Sequence, residues 1–315
     1  MISRIEELME QDTAGDPITG LKWTRRTTEK IAEELEPLGI VVSPKTVARL
    51  LKRMGFSLRV NHKKVSRTSP KERDAQFARI AEIRERCAAE GLPVISVDSK
   101  KRELVGNFKN PGTAWNREPI AVNDHDFRSD AIGVAIPYSI YDVQANKGTV
   151  FVGTSYDTPQ FAADAIARWW RSEGQRRYPD AGELAILADS GGSNGSRCRA
   201  WKHGLQHEIC NRHGLAVTVA HYPSGASKWN PVEHRLHSEI SKNWAGRPLD
   251  SYETILNYLR TTRTRTGLRV HAKLVRKHYK KGIKITDAQM HDLSINYDDC
   301  LPTWNYKITP SVKSS

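Results

Sequence analysis

From residue 94 onward, short apolar runs of strand length alternate with segments of helical spacing. This spacing constrains the fold more than any other feature of the chain. VISVDS (94–99) alternates apolar with small or polar residues, as a strand with two unlike faces does. Residues 133–142 and 148–154, rich in Val, Ile, Tyr and Phe, predict two more strands. Within 158–173, Phe161, Ala165, Ile166 and Trp169 form one apolar stripe of a helix. ELAILADS (183–190) is a buried-strand run, a helix is expected near 197–213, AVTVAHY (216–222) is a strand, and a helix begins near 231. Residues 101–130 read as an irregular insertion holding Gly, Asn and Pro.

Three strands, a helix, and then alternating strands and helices follow the order of a ribonuclease-H-like domain. The predicted fold is therefore an α/β ribonuclease-H-like catalytic domain, a mixed sheet flanked by helices, preceded by an all-α helix-turn-helix domain. In the first part, Thr27 or Thr28 caps a helix carrying Ile31, Leu35 and Leu38 that stops at Gly39. A second helix follows, with Ser43 as N-cap and Pro44 in its first turn. Val47, Leu50, Leu51 and Met54 line its apolar side, and Lys45, Thr46, Arg49, Lys52 and Arg53 the other. Two helices joined tightly, the second with a basic outer face, fit a helix-turn-helix and equally a plain solvated hairpin. The expected division is 1–68 for this domain, 69–91 for a helical connector, 92–258 for the catalytic domain and 259–315 for a basic extension.

The net charge of +13 and the pI near 9.6 make a polyanion, above all nucleic acid, the first partner to consider. The charge is concentrated. Residues 41–70 carry eight cations, including Arg59, Lys63, Lys64 and Arg67, and no acid. Residues 260–284 carry ten, among them Lys277, Lys280 and Lys281, again with no acid. With 38% apolar and 27% charged residues, wholesale disorder is excluded. The longest clean apolar run, AIGVAIP (131–137), is far too short for a membrane span, and MISRIEELMEQD carries early acids and no secretory core. Cys87, Cys198, Cys210 and Cys300 are scattered, as reduced thiols in a cytoplasmic protein are.

Three carboxylates fall at element ends: Asp98, Asp189 and Glu233, spaced by 91 and 44 residues. Chemistry on phosphodiesters uses such a set, because carboxylates from neighbouring strand ends and a packed helix hold two divalent ions. Singly, each acid has an ordinary reading. Asp189 precedes the turn residues Ser190-Gly191-Gly192, and Asn230-Pro231-Val232-Glu233 reads as a capping-box variant. Glu239, six residues beyond Glu233, faces elsewhere on the helix. His203, His207, Cys210 and His213 follow a helical spacing that matches no closed zinc module, and they read as surface and packing residues.

At these residues the chain resembles the DDE transposases of bacterial insertion sequences, in particular the ISAzo-thirteen or Rhodopirellula-type group. The resemblance is carried by GLKWTRRTTEKIAEEL (20–35), VSPKTVARLLKRMGFSLRVNHK (42–63), RDAQFARI (73–80), VISVDSKKRELVGNFKNPGTAW (94–115), LAILADSGGSNGSR (184–197), HYPSGASKWNPVEHRLHSEISKNWAG (221–246) and WNYKI (304–308). It implies that Asp98, Asp189 and Glu233 are the catalytic, metal-binding acids, with two Mg²⁺ or Mn²⁺ ions. It also implies that the partners are double-stranded element ends and target DNA, and that the protein assembles as a homo-oligomer on DNA in the bacterial nucleoid. Lys45, Thr46, Arg49, Lys52 and Arg53 would contact the element end, and Lys277, Lys280 and Lys281 the phosphate backbone. Family members usually carry further helical residues ahead of the segment matched by 1–22, so the resemblance implies either a truncated or decayed copy or a start assigned too late. A catalytically inactive DNA-binding remnant and a ribonuclease-H-fold nuclease without strand transfer are the alternatives.

Overall fold

The computed structural model describes residues 2–12, 14–15, 22–23, 27–56, 69–226 and 229–311. The chain divides into two compact units, Met1–Lys64 and Val65–Ser315. Residues 57–68, with Arg59, Lys63, Lys64, Arg67 and the expected domain end at 68, lie outside the described residues.

The first unit contains α1 (Ile2–Asp12), β1 (Ala14–Gly15), β2 (Lys22–Trp23), α2 (Thr28–Leu35) and α3 (Pro44–Arg53). The pairing of β1 with β2 departs from the all-helical expectation. Thr27 is the cap of α2, its side chain accepting from Lys30 N at 3.2 Å. A 3₁₀ turn, Glu36–Leu38, ends at Gly39, whose φ of 73° favours glycine. Ser43 caps α3 by accepting from Thr46 N at 3.2 Å. Ile5, Ile31, Leu35, Val47 and Leu50 form the core of this unit.

The second unit opens with α4 (Pro70–Ala89), followed by β3 (Val94–Ser99), β4 (Glu103–Val105), β5 (Gly133–Asp142) and β6 (Lys147–Gly153). The helix α5 (Pro159–Trp169) runs on through a π-helical stretch, Trp170–Gly174, into α6 (Gln175–Arg177). After β7 (Glu183–Asp189), α7 (Arg199–Leu205) in the same way passes through π-helical Gln206–Cys210 into α8 (Asn211–His213). Then come β8 (Ala216–Tyr222), a π-helical turn Val232–His237 leading into α9 (Ser238–Asn243), and α10 (Tyr252–Thr261). The last elements are β9 (Arg269–Val275), α11 (Asp287–His291), β10 (Ile295–Tyr297) and β11 (Asn305–Ile308).

One sheet runs β10-β11-β8-β7-β3-β5-β6-β9, with β4 paired to β5. Its centre, β8-β7-β3-β5-β6, is parallel from β3 through β8 and antiparallel across β5, so the sheet is mixed, as expected. Residues 259–315 are not an appended extension. β9 pairs in parallel with β6 at one edge, and β11 pairs antiparallel with β8 at the other. Val270, Ala272 and Val275 of β9 are buried, while Arg269, His271 and Lys273 are exposed. Two of the ten cations therefore stand on an edge strand, where charge discourages further strand pairing.

Side-chain alternation gives the sheet two covered faces. Ile95, Val97, Leu184, Ile186 and Ala188 pack with Phe161 and Trp169 of α5 and Trp201 of α7. Their neighbours Val94, Ala185 and Leu187 face the other way, against Ile80, Ile83 and Cys87 of α4. The expected connector is thus a helix lying on the sheet. Buried Gln76 pins it, donating from Nε2 to His221 O at 2.9 Å and to Asn305 Oδ1 at 2.8 Å. On the same face, Val232, Leu236 and Ile240 pack against Val150 and Val152 of β6. A Cβ at Gly148 would lie 2.6 Å from Leu236, so glycine lets this helix sit directly on the strand backbone. No described helix is long and apolar enough to cross a membrane.

Candidate active site

The same alternation aims the two aspartates. β3 and β7 are parallel and pair up to Val97 and Ala188, so Asp98 and Asp189 follow at one level on adjacent strands. Both have the parity of Val94, Ala185 and Leu187, and hence share the face on which the helix of Glu233 packs. They line one open cleft with Ser99, Asp157, the loop Ser190–Ser193 and the turn Pro223–Gly225.

That helix is fastened to both strands by one amide. Asn230, fully buried, donates from Nδ2 to Asp189 Oδ1 at 2.9 Å, and its Oδ1 accepts from the Ser96 hydroxyl. Ser96 in turn accepts from Val232 N at 2.9 Å. The side chain of Asn230 therefore bridges strands and is not the cap of a capping box. Only its backbone carbonyl takes the Glu233 N–H, at 3.0 Å. Ser96, a small polar residue in a buried strand two positions before Asp98, was the sequence signal for this contact.

The electrostatics follow from crowding. Burial, then the charge of Asp189, then contact with Glu233 push the Asp98 carboxyl up to about 8. Asp189 is raised mainly by burial, opposed by the Asn230 hydrogen bond. Glu233 is held below the ordinary carboxylate range, chiefly by its hydrogen bond with His237. Their ring Nδ1 and Oε2 atoms lie 3.5 Å apart. Ligand atoms of Asp98, Glu233 and His237 all fall within 4.8 Å of one another. Sequence reasoning missed His237, and also Asp157, whose Oδ1 accepts from Ser99 Oγ at 3.0 Å. It missed Lys100 as well, whose ammonium sits 4.9 Å over the Trp244 ring and is lowered by burial. Glu239 pairs with Lys242 at 2.6 Å, outside this cluster.

Behind Asp189 runs a buried chain of hydrogen bonds. Trp201 Nε1 donates to Tyr306 Oη at 3.0 Å, Tyr306 Oη lies 3.1 Å from His221 Nε2, and His221 Nδ1 reaches Asp189 O at 3.0 Å. Burial lowers His221 to about 4. With a neutral ring, Tyr306 donates to Nε2 and Nδ1–H donates to the carbonyl.

The remaining candidates lie elsewhere. Lys45, Arg49, Lys52 and Arg53 are exposed on α3, and Thr46 is half-buried with its hydroxyl 3.1 Å from that of Ser43. Lys277, Lys280 and Lys281 are exposed in the loop after β9. β9 runs in the direction opposite to β5 and so in that of β3, and this loop leaves the sheet at the Asp98 end. Lys277 Nζ is 3.8 Å from Asp164, and Lys281 Nζ stands 4.1 Å over the Tyr156 ring. The His203 and His207 rings lie 4.2 Å apart with their planes tilted by 45°, but neither they nor Cys210 or His213 belong to a three-ligand cluster among the described residues.

The donor set fits hard divalent cations. Asp98 and Glu233 offer ligand atoms within 4.8 Å of each other, Asp189 adds its charge beside Asp98, and a cation held there would offset the burial and the repulsion that raise Asp98.

A family model described as the Rhodopirellula transposase DDE domain matches residues 4–310. No curated protein matches the chain. Among solved structures, it is similar to a Mos1 transposase paired-end complex with left transposon end, at 17% identity and TM-score 0.41, covering 82% of this chain and 69% of that one. It is also similar to a Mos1 strand transfer complex, at 16% identity and TM-score 0.44 over 82% and 69% of the two chains. A Mos1 mariner paired-end complex with Mn is similar at 16% identity and TM-score 0.41, over 82% and 70%. With the family match spanning nearly its whole length, the chain belongs to the Rhodopirellula-type DDE transposases.

Proposed function

We propose that the protein is the DNA transposase of a bacterial insertion sequence, which hydrolyses DNA at the element ends and joins the freed 3′-hydroxyl to target DNA. The observation that carries this reading is the meeting of Asp98, Asp189 and Glu233 on one face of the sheet, in one crowded acid site beside an open cleft. Asp98, Asp189 and Glu233 are the residues that would hold two Mg²⁺ or Mn²⁺ ions. When bound, such ions supply Lewis-acid activation of the attacking and leaving oxygens.

The chain itself contributes position and charge. The Asn230 amide fixes one oxygen of Asp189, leaving the other for the cleft. The His237 contact holds the Glu233 carboxyl below the ordinary carboxylate range. The backbone of Ser190–Ser193 and Pro223–Gly225 forms the walls against which a strand would lie. Exposed Lys45, Arg49, Lys52 and Arg53, with Thr46, form the face of a helix-turn-helix that reads the element end. Lys277, Lys280 and Lys281 hold phosphates near the acids, and the active form is a homo-oligomer assembled on DNA.

The test is cleavage and joining of labelled end DNA in Mg²⁺. Asp98→Asn, Asp189→Asn and Glu233→Gln should each lose both reactions and still bind DNA, because a carboxamide keeps the shape and loses the charge that holds the ion. A variant that cuts at the wild-type rate removes that residue from the site. Cutting without joining in the wild type makes the protein a nuclease instead.

A further inference from the structure

We infer that His237 is a positioning residue of the acid site, holding the Glu233 carboxylate in place through its Nδ1–H. The inference rests on the proposed metal site and adds a residue to it.

Glu233 stands in the first turn of its helix with a side chain 36% exposed, so little packing restrains it. Four residues on, His237 is almost wholly buried at 5%. The π-helical winding of Val232–His237 brings Nδ1 to 3.5 Å from Glu233 Oε2. π-helical turns are rare and gather at functional sites.

The other ring nitrogen gives the stronger argument. His237 Nε2 is buried and has no hydrogen-bond partner. Burying an unsatisfied polar atom destabilises the fold, and leucine would fill the same space without that cost. An imidazole kept there against its own solvation is explained by its one engaged atom, Nδ1, and that atom faces the acid cluster. Asp98, Glu233 and His237 lie within 4.8 Å of each other, so a swing of Glu233 would open the side of the site that His237 now closes. Residues that orient metal ligands in this way act on metal affinity, even when they touch no ion.

The experiment is Mn²⁺ titration of the full chain, read by the electron paramagnetic resonance of free Mn²⁺, with thermal melting in parallel. His237→Leu should bind Mn²⁺ about 10–100-fold more weakly while melting no lower than the wild type. Asn places an N–H donor the same number of bonds from Cβ as His Nδ1, whereas Gln places it near Nε2. His237→Asn should therefore recover most of the affinity and His237→Gln should not, and this pair decides the matter if the leucine variant fails to fold. Wild-type Mn²⁺ affinity in His237→Leu overturns the inference. So does His237→Asn binding no better than His237→Gln. Asp98→Asn separates the two layers. Unchanged Mn²⁺ binding in that variant refutes the metal site itself. Binding lost in Asp98→Asn and kept in His237→Leu refutes only the role of His237.

Discussion

Replacing Asp98 with asparagine should stabilise the metal-free protein and abolish its stabilisation by Mg²⁺. The folded protein binds the Asp98 proton more tightly than the unfolded chain does, with the value raised from the ordinary 3.8 to about 8. A raised value makes a favourable contribution below pH 3.8 that declines as pH rises and is gone above about 8. At pH 7, roughly three tenfold steps at about 1.4 kcal/mol each have been lost, or about 4 kcal/mol. Proton sharing with Glu233 and partial solvent contact reduce this to roughly 2 kcal/mol. A neutral asparagine has no charge to bury beside Asp189 and no proton to take up, so its melting temperature without metal should rise by about 4–8 °C. Wild type should gain about 2.7 kcal/mol at Mg²⁺ a hundredfold above its dissociation constant, and Asp98→Asn almost none. Scanning calorimetry at pH 7, with EDTA and then with Mg²⁺, measures both quantities. An Asp98→Asn protein that melts at or below the wild type in EDTA refutes the claim that burial and neighbouring acids make the ionised Asp98 costly at this site.

Arg49→Ala and Lys52→Ala should weaken binding to element ends by about 1–3 kcal/mol for a base contact, or lower affinity for all DNA alike for a phosphate contact. Competition between end and random DNA distinguishes these, and unchanged affinity for both leaves α3 as a plain solvated helix. Replacing Lys277, Lys280 and Lys281 together with Gln should flatten the plot of log affinity against log salt by up to about 0.9 for each phosphate no longer neutralised, without altering sequence preference. An unchanged slope leaves these lysines without a role in binding. For His221, lowered from 6.5 to about 4, stability is present above pH 6.5 and is lost as pH falls towards 4. Urea unfolding should therefore show roughly 3 kcal/mol less stability at pH 4 than at pH 7, in excess of any loss in His221→Asn. Equal losses in the two proteins count against the buried chain from Trp201 to Asp189.

The central strands were legible because burial on both faces leaves dense apolar runs, and 94–99 and 216–222 coincide with β3 and β8. β9 was hidden because Arg269, His271 and Lys273 overlie its Val270, Ala272, Leu274 alternation, so charge masked a period-two pattern. β10 and β11 are three and four residues long, too short for any periodicity, and β11 is specified by pairing with β8. Two of the acids could be placed because strand ends are visible in sequence. The roles of Asn230 and His237 could not. Asn-Pro before a helix reads as a cap, yet the Asn230 amide is drawn to Ser96 and Asp189, 134 and 41 residues away. A histidine amid His234 and Arg235 reads as surface until the π-helical turn rotates it inward.

The placement of β9, β10 and β11 sets a timetable. All three acids have been synthesised by residue 233, but the strands that close the sheet's two margins arrive only at 269–275 and 295–308. Until then β6 and β8 each present an open line of backbone donors and acceptors, the kind of margin that recruits another chain. A copy of the gene interrupted after His237 would thus encode every residue of the acid site and still yield a protein prone to self-association. Such an interruption would strip the sheet of its margins without touching one codon of the acid site.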